Sequence, residues 1–176
     1  MNKLKFTIPF LALFMLLGML WYELFFAKPN EIPSPLIGEI VPHFSLPTLN
    51  NDTLTSEELQ GHVSLLNVFA SWCYACSLEA DMMDKIKNNY HVLIYGINYK
   101  DKREDVTSWL KKYGNPYFKI GDDQHGDVAI DLGVYGTPET FIISKQGKIV
   151  YRHIGVIDQK SWDDILYPLV KQYEKM

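Results

Sequence analysis

The stretch "NVFASWCYACSLE", residues 67–79, holds both cysteines of this 176-residue chain, Cys73 and Cys76. A largely apolar run of strand length, residues 63–70, leads directly into the pair. From Cys76 onward, the composition becomes that of a helix. The sequence therefore predicts a central strand that ends at two cysteines, with a helix beginning there. This junction decides the fold.

Two cysteines separated by two residues can form a structural disulfide, half of a metal site, a haem attachment point or a redox dithiol. Haem attachment requires a histidine directly after the second cysteine, and residue 77 is Ser. A structural zinc ion needs about four ligands, and the chain's five histidines are scattered without paired spacing. A disulfide across two residues closes too small a loop to stabilise a fold much. A redox dithiol is favoured, with no metal and no cofactor beyond the pair.

The two cysteines are expected to have different roles. Disulfide exchange requires one thiolate that attacks and a second thiol that resolves the mixed disulfide. Cys73 would lie at the helix N-terminus, where unpaired N–H groups and the helix dipole stabilise an anionic sulfur. Cys76 would lie one turn further along and be shielded from solvent. We therefore predict Cys73 as the nucleophile and Cys76 as the resolving thiol.

Composition sets limits on the class of protein. The chain is 47% hydrophobic and 14% aromatic, enough for one domain with a full core and an additional segment. Its formal net charge is -4, and its basic residues form no cluster, so no nucleic-acid partner is expected. Small secreted domains that are stabilised by disulfides carry more cysteines than the two in this one short motif, so that class of protein is excluded.

Residues 1–27 predict one N-terminal transmembrane helix. Lys3 and Lys5 precede an uncharged run over residues 6–22, and Glu23 alone interrupts the apolar character before Ala27. This length is close to the roughly 20 apolar residues that a membrane helix needs. The two lysines would hold the N-terminus in the cytoplasm, so the following domain would lie on the other side of the membrane.

A cleaved signal peptide is the alternative interpretation of this segment. Cleavage after Ala27 would place Phe25 three residues before the cut, where a small residue is needed. We therefore expect an uncleaved signal anchor at 1–27. Residues 28–36 carry three prolines and predict a tether, and residues 37–176 form the globular domain.

Strand-like and helix-like segments alternate through the domain, which predicts an α/β fold with a central mixed β-sheet flanked by helices. The predicted strands cover residues 63–70, 91–99, 139–144 and 148–155, the last two as a hairpin. The predicted helices cover residues 76–89, 102–114, 126–134 and 158–176, and a short helix is predicted within residues 52–59.

Two of these helices carry apolar residues at helical spacing, which predicts faces that pack in the core. In the helix after the dithiol, they are Leu78, Met82, Met83 and Ile86. In the last helix, which Asp158 is expected to cap, they are Trp162, Ile165, Leu169 and Val170.

The segment "YGTPETF" supplies a proline directly before a predicted strand. A proline there either begins the strand with an ordinary trans bond or marks a cis bond in a tight turn. A cis Thr137-Pro138 bond beside the dithiol would expose the backbone of Thr137 for pairing with an extended substrate. The residues alone leave both geometries open.

Together, "NVFASWCYACSLE" and "GVYGTPETFII" resemble the thioredoxin superfamily. The chain is more closely similar to the membrane-anchored thiol:disulfide interchange proteins of cytochrome c maturation, the DsbE/CcmG type. The resemblance covers essentially the whole domain and includes "GINYKDKREDVTSWLKKYGNPY" and "YRHIGV", which a generic thioredoxin lacks. It implies a thioredoxin-like fold and favours the cis geometry of Pro138.

The resemblance implies a bacterial periplasmic reductase on a single-pass inner-membrane anchor. Its partners would be apocytochrome c, or a maturation thiol protein that holds it before haem attachment, and a transmembrane electron donor of the DsbD type. Two alternatives stay open: a general periplasmic disulfide oxidoreductase or isomerase, and a non-catalytic module that binds apocytochrome. The pair "YA" between the cysteines differs from the proline-containing pairs common in the family, and it leaves the redox potential undetermined.

The resemblance also assigns supporting residues. Trp72 is expected to pack and to form a shelf for the substrate, and Tyr135 lies in the matching "GVYG" segment. Cytoplasmic relatives carry a buried aspartate six residues before the first cysteine, which assists proton transfer, but this chain has Asn67 there.

Glu79 and Glu139 are the available substitutes for that aspartate, and Glu139 is preferred. The alternatives are that Glu79 is a solvated helix charge and that Glu139 is a solvated charge at a strand edge.

Overall fold

The computed structural model describes residues 4–26 and 35–176, and it divides the chain into two units, Met1–Pro33 and Ser34–Met176. The first unit contains helix α1, Leu4–Phe26. Among the described residues, no helix combines the length and the apolar character that crossing a membrane requires. The predicted anchor is therefore not confirmed, and residues 27–34, which include most of the predicted tether, lie outside the described residues.

The second unit is an α/β domain. Its strands are β1 (Ser45–Pro47), β2 (Thr53–Thr55), β3 (Ser64–Phe69), β4 (Leu93–Tyr99), β5 (Lys119–Asp123), β6 (Glu139–Ile143) and β7 (Ile149–Ile154). Its helices are a 3-10 turn (Ser56–Leu59), α2 (Tyr74–Tyr90), α3 (Arg103–Tyr113), α4 (Asp127–Asp131), and a last helix made of α5 (Gln159–Ser161), a π turn (Trp162–Leu166) and α6 (Tyr167–Glu174).

The main sheet has the strand order β5-β4-β3-β6-β7. The central strand β3 pairs in parallel with β4 and antiparallel with β6, and β7 returns antiparallel to β6 as the predicted hairpin. The prediction of a mixed sheet flanked by helices is confirmed.

Every residue of β3 is buried because the sheet is covered on both faces. Side chains alternate across a strand, so Leu65 and Phe69 pack into the core cluster on one face, and Leu66 and Val68 into the cluster on the other. Asn67 lies two residues from both Leu65 and Phe69, so its side chain points to the same face of the sheet as theirs. A polar side chain is thereby placed on the face that contains the cysteines.

Strand β5 was absent from the sequence prediction. Its sequence "KIGDD" is short and mostly polar, so neither an apolar run nor a regular alternation indicates a strand. Tertiary pairing forms it, because β5 lies parallel to β4 and a bridge joins Gly121 to Thr48. A Cβ atom on Gly121 would lie 2.9 Å from Leu46, so a side chain there would collide with β1.

The closing helix begins as predicted, with Asp158 accepting a hydrogen bond from the Ser161 N–H at its N-cap. The predicted apolar face is wrong at Ile165, which is exposed, while Leu166 is buried. The π turn explains the difference. It widens one turn of the helix, so that Trp162, Leu166 and Val170 face the core.

Candidate active site

The two cysteines occupy the junction between β3 and α2, as the sequence predicts. Cys73 is the N-cap residue of α2 and forms a disulfide with Cys76, with the two Cα atoms 5.3 Å apart. The Cys76 backbone N–H donates a hydrogen bond to the Cys73 Sγ at 3.1 Å. Cys73 is 6% exposed and Cys76 is 1% exposed. The outer sulfur is therefore the one that a substrate can reach, and a helix N–H is aimed at it.

The Thr137-Pro138 peptide bond is cis, which confirms the geometry that the family resemblance implies. Pro138 is buried, and the Thr137 carbonyl oxygen lies 3.3 Å from the Cys73 Sγ. This backbone therefore faces the nucleophilic sulfur. Its predicted role in pairing with an extended substrate stays a prediction.

Exposed aromatic side chains surround the buried disulfide. Trp72, Tyr74 and Tyr135 are all exposed. The indole N–H of Trp72 donates to the Lys100 carbonyl at 3.2 Å, and the Arg152 guanidinium lies 4.7 Å from the Tyr135 ring centre. Exposed aromatic groups suit contact with a polypeptide, and the substrate shelf at Trp72 stays a prediction.

Glu79 lies one helical turn after Cys76 and is 2% exposed, so the alternative of a solvated helix charge is wrong. Its Oε1 accepts a hydrogen bond from the Asn67 side-chain amide at 3.1 Å, and its Oε2 accepts one from the Ile157 backbone N–H at 3.0 Å. The predicted core stripe of α2 is wrong at its first position, because Leu78 is exposed and the neighbouring glutamate faces inward.

Burial raises the pKa of Glu79 from 4.5 to about 7, because desolvation outweighs the two hydrogen bonds that favour its charged form. Within residues 35–176, none of the salt bridges involves this carboxylate. Its protonation state can therefore change near neutral pH. A group that changes protonation there suits general acid-base work.

Asn67 connects Glu79 to two residues that sequence reasoning missed. Tyr117 donates its hydroxyl hydrogen to the Asn67 Oδ1 at 2.8 Å, and the Asn67 side-chain amide also donates to the Thr140 Oγ1 at 2.9 Å. Burial, and then the charge of Glu79, raise the pKa of Tyr117 well above 10. Asn67 cannot titrate, but it orients the carboxyl group that does.

Glu139 is 1% exposed, so it is not a solvated strand-edge charge. Its Oε2 accepts a hydrogen bond from the Arg152 Nε at 2.7 Å, and the Arg152 Nη2 lies 2.6 Å from the same oxygen as an ion-pair contact. Its Oε1 accepts the backbone N–H groups of Tyr135 at 2.8 Å and Gly136 at 3.2 Å. The carboxylate is fully occupied and holds the loop that leads to the cis-proline. This geometry favours Glu79, rather than Glu139, for proton transfer.

No pattern in the sequence pointed to Arg152. It lies within the "YRHIGV" segment that contributes to the family resemblance, and its position opposite Phe141 on the neighbouring strand brings it beside Glu139.

Comparison with known proteins agrees with this site. Residues 37–152 match the AhpC/TSA family. The thiol:disulfide interchange protein DsbE of Pseudomonas fluorescens biotype C is 41% identical over 167 residues, which cover 94% of this chain and 93% of that protein. DsbE of Vibrio cholerae serotype O1 is 38% identical over 182 residues and covers 100% of this chain and 97% of its own length. The chain belongs to the DsbE family.

Solved structures add support for the fold. A thiol-disulfide oxidoreductase from Bacteroides fragilis NCTC 9343 is similar with a TM-score of 0.61 and 26% identity, covering 74% of this chain and 99% of that chain. The predicted thioredoxin-like fold is confirmed. With its cysteine pair at disulfide distance, this DsbE-family chain is a thiol:disulfide oxidoreductase.

Proposed function

We propose that this DsbE-family oxidoreductase works in the reducing direction, on the disulfide of apocytochrome c or of a maturation thiol protein before haem attachment. The observation that carries the exchange chemistry is the Glu79 carboxyl, buried one turn after Cys76 without a counter-cation among the described salt bridges, while the reducing direction rests on the resemblance to the interchange proteins of cytochrome c maturation. A reductase must deprotonate its resolving thiol while substrate covers the outer cysteine. A buried base on the same helix face meets that need.

The proposed reaction has two exchange steps. The Cys73 thiolate attacks one substrate sulfur, so a mixed disulfide forms and the other substrate sulfur leaves as a thiolate. Cys76 then transfers its proton to the Glu79 carboxylate and attacks the Cys73 Sγ. The Cys73-Cys76 disulfide forms, the second substrate thiolate leaves, and two electrons have passed to the substrate. Both substrate thiolates take up protons from solvent.

The proposed compartment is the bacterial periplasm, with the chain held to the inner membrane by residues 1–27. The lysines and the apolar run at the N-terminus support this placement. A transmembrane donor of the DsbD type would return the Cys73-Cys76 disulfide to the dithiol. Alkaline extraction of membranes tests the anchor, because an anchored chain stays in the membrane pellet and a peripheral one is released.

Equilibration of the full-length chain with glutathione tests the reducing direction. We expect a potential nearer to the about -270 mV of thioredoxin than to the about -120 mV of DsbA. A value as oxidising as that of DsbA would overturn the proposal. Replacing Cys73 with Ser separates catalysis from binding, because a non-catalytic module would still support cytochrome c assembly in cells.

A variant of Glu79 tests the base. Glu79→Gln is expected to slow the resolution of a mixed disulfide with a cysteine-containing peptide about a hundredfold, the size typical of general-base catalysis. Asp81→Asn is the matched control, since Asp81 is an exposed acid on the same helix. An unchanged resolution rate in Glu79→Gln would remove Glu79 from the mechanism.

A further inference from the structure

The loop between β4 and α3 contacts the two residues that precede Cys73. Asp101 in this loop is 5% exposed, although it carries a carboxylate. Its Oδ2 accepts the Ser71 backbone N–H at 2.6 Å, and its Oδ1 accepts the Ser71 hydroxyl at 2.9 Å. The adjacent Lys100 carbonyl accepts the Trp72 indole N–H at 3.2 Å. One loop thus holds Ser71 and Trp72, two of the four residues between β3 and α2.

The holding loop is itself fixed. The Lys102 N–H donates to the Asp101 Oδ1 at 2.8 Å, and the Gln124 side-chain amide donates to the Asp101 carbonyl at 2.9 Å. Lys100 has a positive φ of 46°, and its N–H donates to the Asp123 carbonyl at 3.0 Å. A non-glycine residue in this conformation needs surrounding contacts to keep it there. The loop can therefore act as a rigid support.

We propose that Asp101 is a positioning residue for the nucleophile Cys73, acting through Ser71. The turn from Ala70 to Cys73 places the Cys73 Sγ against the Cys76 N–H, and the two hydrogen bonds from Ser71 to Asp101 hold that turn from outside. When the turn is held, the helix N-terminus stabilises the thiolate. This inference rests on the proposed role of Cys73 as the attacking sulfur.

The direction in which one substitution shifts the pH of Cys73 thiolate formation separates positioning from a simple charge effect. Asp101→Asn removes a negative charge, which by electrostatics alone would favour the Cys73 thiolate and lower the pH at which it forms. The same change places an amide NH₂ against a backbone N–H, of Ser71 or of Lys102, and loosens the turn. Positioning therefore predicts the opposite result, a thiolate that forms at higher pH.

The test is the rate at which iodoacetamide alkylates Cys73 in the reduced full-length chain across pH, with the product located by mass spectrometry. In Asp101→Asn we expect the midpoint to rise by about half a pH unit, the size of a helix-terminus interaction. Alkylation at pH 6 would then fall about threefold.

Two further variants complete the test. Ser71→Ala leaves the charge of Asp101 in place and removes one hydrogen bond, so a smaller rise of the alkylation midpoint is expected. This variant replaces Asp101→Asn in the test if Asp101→Asn does not fold. Asp105→Asn removes an exposed charge from the first turn of α3 and should leave the midpoint unchanged.

A midpoint that falls or stays the same in Asp101→Asn, or that does not rise in Ser71→Ala, would overturn the proposal. Because iodoacetamide replaces the protein substrate, this result is independent of whether the chain reduces apocytochrome c.

Discussion

Glu79 and Glu139 are buried to nearly the same extent, at 2% and 1% exposed, yet their surroundings are opposite. Glu139 faces the Arg152 guanidinium and two backbone N–H groups, so its charge is balanced and its position is fixed. Among the described residues, Glu79 accepts hydrogen bonds from one side-chain amide and one backbone N–H, and its pKa is raised to about 7 by burial.

The comparison shows that burial alone does not decide what a carboxyl group does. Desolvation disfavours the charged form of both glutamates. At Glu139 a cation offsets that cost, and the carboxylate becomes a structural clamp on the loop before the cis-proline. At Glu79 none of the salt bridges in the described part of the chain supplies a cation, and the group can exchange a proton beside the redox pair.

Removing the cation should have the largest effect. Arg152→Met leaves Glu139 buried and unpaired, so we expect the free energy of unfolding to fall by about 3–5 kcal/mol. Urea denaturation measures this change. Arg152→Lys keeps the charge but loses the Nε–H hydrogen bond to Glu139, and a smaller loss is expected. A loss in Arg152→Met below about 1 kcal/mol, the usual limit for a surface pair, would contradict the role of a clamp.

The pH dependence of stability should identify Glu79. Its pKa is raised from 4.5 in the unfolded chain to about 7 in the folded protein, so the folded state binds a proton that the unfolded state has released between these values. Its contribution is complete below pH 4.5 and is lost as the pH rises through about 7. The free energy of unfolding should therefore fall by about 3 kcal/mol across this range.

Comparison with Glu79→Gln isolates that contribution. Other carboxylates, such as Asp158, have a lowered pKa and shift stability in the opposite direction, but they are the same in both proteins. Urea denaturation at a series of pH values should show the difference between the wild-type chain and the variant changing across the window. A constant difference would mean that Glu79 does not titrate there.

The smallest expected effect is at the far end of the Glu79 hydrogen-bond network. Tyr117→Phe leaves the Asn67 Oδ1 without its donor, and we expect a loss of about 1 kcal/mol in the free energy of unfolding. Tyr74→Phe is the control because Tyr74 is exposed, and it should change stability little. Equal effects of the two substitutions would show that the Tyr117 hydroxyl is not part of the network.

The sequence by itself determined the parts that depend on neighbouring residues. The apolar run before Cys73, the two-residue spacing to Cys76 and the Asp158 cap are local patterns, and each was found where it was predicted. The resemblance of "GVYGTPETFII" to known sequences supplied the cis geometry of Pro138, which local physics left open.

Only the tertiary structure decided how the site residues are paired. Strand β5 forms because β4 and β1 lie beside its mostly polar sequence. Glu79 receives the Ile157 N–H from 78 residues away, and Ser71 meets Asp101 across 30 residues. No local spacing encodes such contacts. Whether a buried glutamate is clamped or free to titrate depends on which groups the fold brings to it, and that is set by packing.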